Sequence, residues 1–154
     1  MEMEMSMEHL AACRIAYVRQ VGPYGPANVQ AMNQLKQWAN EKRLLTEAAI
    51  LYGIPQDNPS TTPPHHCRYD AAIVLHKLEL PEDDTIEIGE LQGGNYLICK
   101  VSHTPEGIQQ AWNEIIPYMQ NNRYIIDHQP VLERYRWDLL EQHECELCVP
   151  VKQV

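Results

Sequence analysis

The chain is short of positive charge. Twelve Lys and Arg stand against 21 Asp and Glu in 154 residues, a net charge of −9. Phosphate binding needs a positive surface, so this balance argues against nucleic acid as a direct partner. It would instead help to draw in cationic ligands. Long apolar runs are also missing. None approaches the roughly 20 residues of a membrane span, and the opening Met1-Glu2-Met3-Glu4-Met5-Ser6 has neither the basic region nor the apolar core of a signal peptide. The expectation is a cytoplasmic protein with no membrane partner, in which residues 1–8 form a disordered leader. A nucleophile elbow, a phosphate loop and a Ser-His-Asp set are absent as well, and no cofactor is expected.

Cysteine is odd in number: Cys13, Cys67, Cys99, Cys145 and Cys148, irregularly spaced. Without export signals this predicts free thiols in a reducing compartment. Cys145 and Cys148 make a CxxC, a spacing used for zinc and redox chemistry. In a strand, however, residues three apart point to opposite faces, and no second pair exists, so packing is the expected role. His65-His66-Cys67 follows a proline loop with no carboxylate cluster near it in sequence. No metal site is expected there.

An apolar share of 44% is ordinary for a globular protein, and the length suits one domain, placed at residues 9–154. Residues 10–21, with alternating Ile, Tyr and Val, read as a strand. Gly22-Pro23-Tyr24-Gly25-Pro26 forces a turn and places proline at the first position of a helix reaching about residue 42. Strands are expected at 48–52 and 67–76, separated by a proline-rich loop. A short strand or link follows at 85–91, after the acidic turn at 81–84. Another strand covers 95–102, and Thr104-Pro105-Glu106 is a capped helix start. Pro117 should weaken the last turn of that helix. Strands at 131–137 and 145–151 close the chain.

The two halves match. Each runs strand, proline-bearing turn, helix, strand, strand. Pro26 corresponds to Pro105, and Asp70-Ala71-Ala72-Ile73-Val74-Leu75 aligns with Glu146-Leu147-Cys148-Val149-Pro150-Val151. The pattern predicts an α+β fold of duplicated βαββ repeats, about 9–78 and 85–154, forming one antiparallel sheet with two helices. By period two, Leu147, Val149 and Val151 should meet a helix, while Glu146 and Asp70 lie on the opposite face. A twisted sheet would make that opposite face a groove, with Glu146 as a carboxylate among apolar neighbours.

These residues resemble the GyrI-like family. It includes a bacterial DNA gyrase inhibitory protein and the effector-binding domains of multidrug-responsive AraC- and MerR-type regulators. The likeness is carried by Val21-Gly22-Pro23-Tyr24, Cys67-Arg68-Tyr69-Asp70, Gly93-Gly94-Asn95-Tyr96, Trp112 and the closing Glu146-Leu147-Cys148-Val149-Pro150-Val151. It implies an antiparallel sheet of two βαββ repeats around a central ligand cleft. It also implies a last-strand glutamate, here Glu146, that meets lipophilic cations among aromatic rings.

The expected function is a stand-alone module binding amphipathic, cationic aromatic small molecules, with no room for the regulators' DNA-binding domain. Glu146 would be the charge detector, and Tyr135, Trp137, Trp112, Tyr69 and Tyr24 the candidate aromatic lining. Two alternatives stay open from the resemblance. One is hydrolysis of strained, cyclopropane-bearing electrophiles with Glu146 as general base. The other is a protein partner, with the chain inhibiting DNA gyrase. An edge strand could also pair with a second copy in a homodimer.

Overall fold

The computed structural model describes residues 4–76, 86–136 and 144–153. The stretch expected as a leader is, from Met5, a strand: β1 (Met5–Leu10). The first repeat follows as β2 (Cys13–Val21), α1 (Pro26–Glu41), β3 (Ile50–Pro55) and β4 (Arg68–Val74), and β5 (Glu87–Leu91) comes after it. The second repeat is β6 (Gly94–Ser102), α2 (Pro105–Asn121), the short strand β7 (Tyr124–Ile126), β8 (Leu132–Arg136) and β9 (Glu144–Gln153). Residues 10–21 thus make two strands broken at Ala11 and Ala12. The turn at 81–84 and Trp137 lie outside the described residues.

Local chemistry fixes the two helix starts. Gly22 and Gly25 both have φ of 146°, a backbone region that disfavours any side chain. This swings the chain from β2 into α1 with Pro26 in its first turn. At α2 the Thr104 hydroxyl accepts the Gly107 N–H at 2.9 Å, a side-chain cap, and Pro105 opens the helix. That helix continues through Pro117 to Asn121.

All described strand pairs are antiparallel, in the order β1-β6-β9-β8-β3-β4-β2-β5, with β7 also on β9. The order is symmetric about the β8–β3 pair: β9 matches β4, β6 matches β2, and β1 matches β5. This is the pseudo-twofold of two βαββ units. β1 and β2 lie far apart in that order, yet only two residues join them, and the same holds for β5 and β6. The two links touch: a Cβ on Gly93 would lie 2.6 Å from Ala12 N. Joining its far edges in this way curls the sheet into a half-barrel.

The helices cover one face. Ala31, Met32, Leu35, Trp38 and Ala39 of α1, and Ala111, Ile115 and Met119 of α2, pack on Leu51, Ala71, Ile73, Leu97, Leu147, Val149 and Val151. Full burial of each large aliphatic side chain is worth about 1.5–3 kcal/mol. The other face, inside the curl, gathers Ile15, Tyr52, Ile54, Ala72, Tyr96, Ile98, Leu132 and Cys148. Cys145 joins the helix-side cluster and Cys148 the inner one, so the CxxC sulfurs diverge as period two predicts.

Candidate functional site

On β8 the alternation Leu132-Glu133-Arg134-Tyr135-Arg136 puts Glu133 and Tyr135 toward the helices and the two arginines toward the curl. Gly53 of β3 pairs with Glu133 on one side and with Ala71 of β4 on the other. Its missing side chain makes room for Tyr69: a Cβ there would meet the Tyr69 hydroxyl oxygen at 2.5 Å and Cζ at 3.3 Å. The Tyr69 ring therefore lies across β3 toward β8. Burial, then the Glu133 charge, raises its phenol above the ordinary value.

Between this floor and α1 is a cavity of about 300 Å³. Tyr69, Glu133 and Tyr135 line it from the sheet, Asn28, Val29, Met32, Asn33 and Lys36 from α1, and His103 and Glu144 complete the lining. The Tyr135 hydroxyl donates to Glu133 Oε2 at 2.5 Å, and its oxygen lies 3.3 Å from His103 Nε2. With the tyrosine hydroxyl donating to the carboxylate, the imidazole tautomer carrying hydrogen on Nε2 completes a donor chain from His103 through Tyr135 to Glu133. Burial first, and the Glu133 charge second, raises the Tyr135 phenol, so it stays a donor. Among the described residues no Lys or Arg lies within ion-pair distance of Glu133. Glu144 pairs with Lys100 at 3.3 Å.

Glu146 faces away from the helices, as period two requires, and is not part of the lining of this helix-side cavity. Its Oε1 accepts Arg136 Nε at 2.8 Å and Arg134 Nε at 3.0 Å, and its Oε2 accepts Arg136 Nη2 at 3.0 Å. Burial by itself would raise this carboxyl. The arginine hydrogen bonds, Arg136 first, outweigh it and hold Glu146 below the ordinary glutamate value. Three arginine hydrogen bonds thus engage both of its oxygens. Asp70 repeats the arrangement in the first half, gripped by Arg19 at 2.7 and 2.8 Å and by Gln56 at 3.0 Å. The matched acids are a pair of arginine clamps inside the curl.

The aromatic candidates divide. Tyr69 and Tyr135 line the cleft. Tyr24 does not: its hydroxyl donates to the Arg68 carbonyl at 2.6 Å and accepts the Asp57 N–H at 3.2 Å. This ties the Gly-Pro turn to the loop before β4. Its ring meets Tyr69 edge-on, 6.4 Å between centroids, so it supports the cleft floor from behind. Trp112 is half-buried against the helix-side core. Glu133 and His103, and the α1 wall, were not among the expected residues. For Glu133 a signal was available, because it shares a strand face with Tyr135. Among the described residues no group of three His, Cys, Asp or Glu side chains could hold a metal, and no described helix is long and apolar enough to cross a membrane.

A model of the GyrI-like small molecule binding domain matches residues 3–152. The chain belongs to the GyrI-like family. Among its relatives, the SPbeta prophage-derived protein YosT of Bacillus subtilis strain 168, named for transcriptional regulation, is 36% identical over 151 residues. That match covers 97% of this chain and 100% of YosT. The DNA gyrase inhibitor of Edwardsiella piscicida is 27% identical over 157 residues, 98% of this chain and 99% of the relative. In structure the chain is similar to the EcmrR C-terminal domain (TM-score 0.77, 12% identity, 100% of both chains). It is also similar to SAV2435 bound to tetraphenylphosphonium (TM-score 0.58, 16% identity, 97% and 94% covered). At these identities the structures share a fold.

Proposed function

We propose that this small-molecule-binding domain takes amphipathic aromatic cations in the cleft under α1, with Glu133 as the charge detector. The observation that carries the reading is an acid on the cleft floor between two tyrosines, with no basic partner among the described residues. A cation about 5 Å from Glu133 gains roughly 3 kcal/mol at an effective dielectric of about 20. Each ring face adds about 0.5–2 kcal/mol. The Tyr135 hydroxyl holds the carboxylate and keeps it aimed inward. The tetraphenylphosphonium complex of SAV2435 supports the choice of probe. The net charge of −9 opposes direct DNA contact, so the module would act as a receptor without reading DNA itself.

Calorimetric titration with tetraphenylphosphonium and with tetraphenylborate, a near-isosteric anion, tests this. The cation should bind at least about 100-fold more tightly, the sum of attraction in one case and repulsion in the other. Equal affinities would refute charge detection.

A second reading comes from the His103–Tyr135–Glu133 chain. Glu133 Oε1 is left to take a proton from water, as in a hydrolase of strained electrophiles, with Tyr135 orienting the carboxylate. Product formation from a cyclopropane-bearing electrophile that disappears in E133Q would support it. Stoichiometric binding without product would dismiss it.

A further inference from the structure

The α1 wall of the cleft has the opposite polarity to its floor. Lys36 is the one cation in the helix segment Pro26–Glu41, and it stands in the cleft lining. It does not act as a helix-stabilising ion pair: positions three and four residues away are Met32, Asn33, Ala39 and Asn40, none of them acidic. Among the described residues no carboxylate lies within ion-pair distance of it. Asn28 adds a donor on the same wall. Its Oδ1 accepts Gln20 Nε2 at 2.7 Å, which leaves its amide N–H groups to face a ligand. Asn28 and Lys36 lie about 12 Å apart along the helix at 1.5 Å rise per residue, a neutral donor and a cation on the wall that faces the Glu133 floor.

We infer that the ligands this cleft prefers are zwitterionic: an aromatic body with a basic amine toward Glu133 and a carboxylate or similar acid toward Lys36. The inference rests on the cation reading above and refines it. A lipophilic cation alone satisfies the floor and leaves the Lys36 ammonium desolvated against it. A ligand acid converts that unfavourable contact into a charge-assisted hydrogen bond.

The test uses two rigid pairs at neutral pH by calorimetry: benzylamine against 4-(aminomethyl)benzoate, and biphenyl-4-ylmethanamine against its 4′-carboxylate. In at least one pair the added carboxylate should tighten binding about tenfold, the low end for a hydrogen bond between charged groups. K36Q should remove that gain, and K36R should keep it. No gain at either length, or a gain that survives in K36Q, overturns the inference. Parent amines that weaken in E133Q while the carboxylate adds nothing would leave the cation reading standing and this one fallen. Parent amines indifferent to E133Q would remove both.

Discussion

Gly53 is where strand geometry and cleft shape meet, and substituting Ala there separates them. A Cβ would sit 2.5 Å from the Tyr69 hydroxyl oxygen, closer than any relaxed contact, and 3.3 Å from Cζ, which is tight. Tyr69 is 7% exposed, so its ring can move only toward the cavity. Overpacking of this kind costs about 1–3 kcal/mol. For a domain of this size each kcal/mol lowers Tm by about 2–4 °C, so G53A should melt roughly 2–12 °C below wild type and bind tetraphenylphosphonium more weakly. Y69F removes the clashing oxygen and leaves the nearest ring atom at 3.3 Å. In the double variant G53A/Y69F most of the lost Tm should therefore return, a coupling of the order of 0.5–3 kcal/mol between touching residues. Scanning calorimetry on the four proteins decides it. A G53A protein with wild-type Tm and affinity, or a double variant whose losses simply add, would refute the claim that Tyr69 is held over β3 by the absence of a side chain.

Other parts of the molecule respond differently. E146Q removes the nearer counter-charge of Arg134, 6% exposed, and leaves it Glu8 at 3.4 Å. Complete loss of a buried pair costs about 3–5 kcal/mol, and this partial loss should cost a large part of that. Its Tm should fall sharply, while its affinity for the cation, measured below the transition, stays near wild type. Because the folded-state pKa of Glu146 is lowered, its stabilisation is fully present above the ordinary value of about 4.3 and drains away as pH falls through the folded value. E146Q should therefore lose less Tm than wild type on acidification, and an equal loss would contradict the assignment. Among the thiols, Cys13 alone is partly exposed and should react first with a disulfide reagent. Burial pushes the Cys145 and Cys148 thiols up to about 12, so fast modification of either, or zinc uptake by the CxxC, would contradict their packing role.

The sequence foretold much of the scaffold because its determinants are local. Pro26, and Thr104 with Pro105, mark helix starts by capping chemistry. Leu147, Val149 and Val151 find the helices because a strand repeats every two residues. The repeat itself is legible in Asp70 and Glu146, which do occupy equivalent strands. Period two sorts side chains into two faces, however, and does not say which face encloses the ligand. That depends on the curl, which follows from the short links at Ala11–Ala12 and Gln92–Gly93 joining strands at opposite ends of the sheet. The same long-range pairing seats β1 beside β6, from where Glu8 reaches Arg134 at 3.4 Å. Nothing local to residues 1–8 announces it. Glu146 drew attention as an acid among apolar residues, but its partners, Arg134 and Arg136, are brought to it by the β8–β9 register. That register also frees the neighbouring Glu133 for the cleft. The α1 wall enters only through the packing of α1 on the sheet, and His103 through its contact with Tyr135 across the fold.

The most direct test of the central claim is a tetraphenylphosphonium titration of E133Q and E146Q side by side by calorimetry, both held well below their melting transitions. Loss of about 2–3 kcal/mol in E133Q, with E146Q binding as wild type, is the expected result. Wild-type affinity in E133Q together with loss in E146Q would return the charge detector to the inner face and contradict this account.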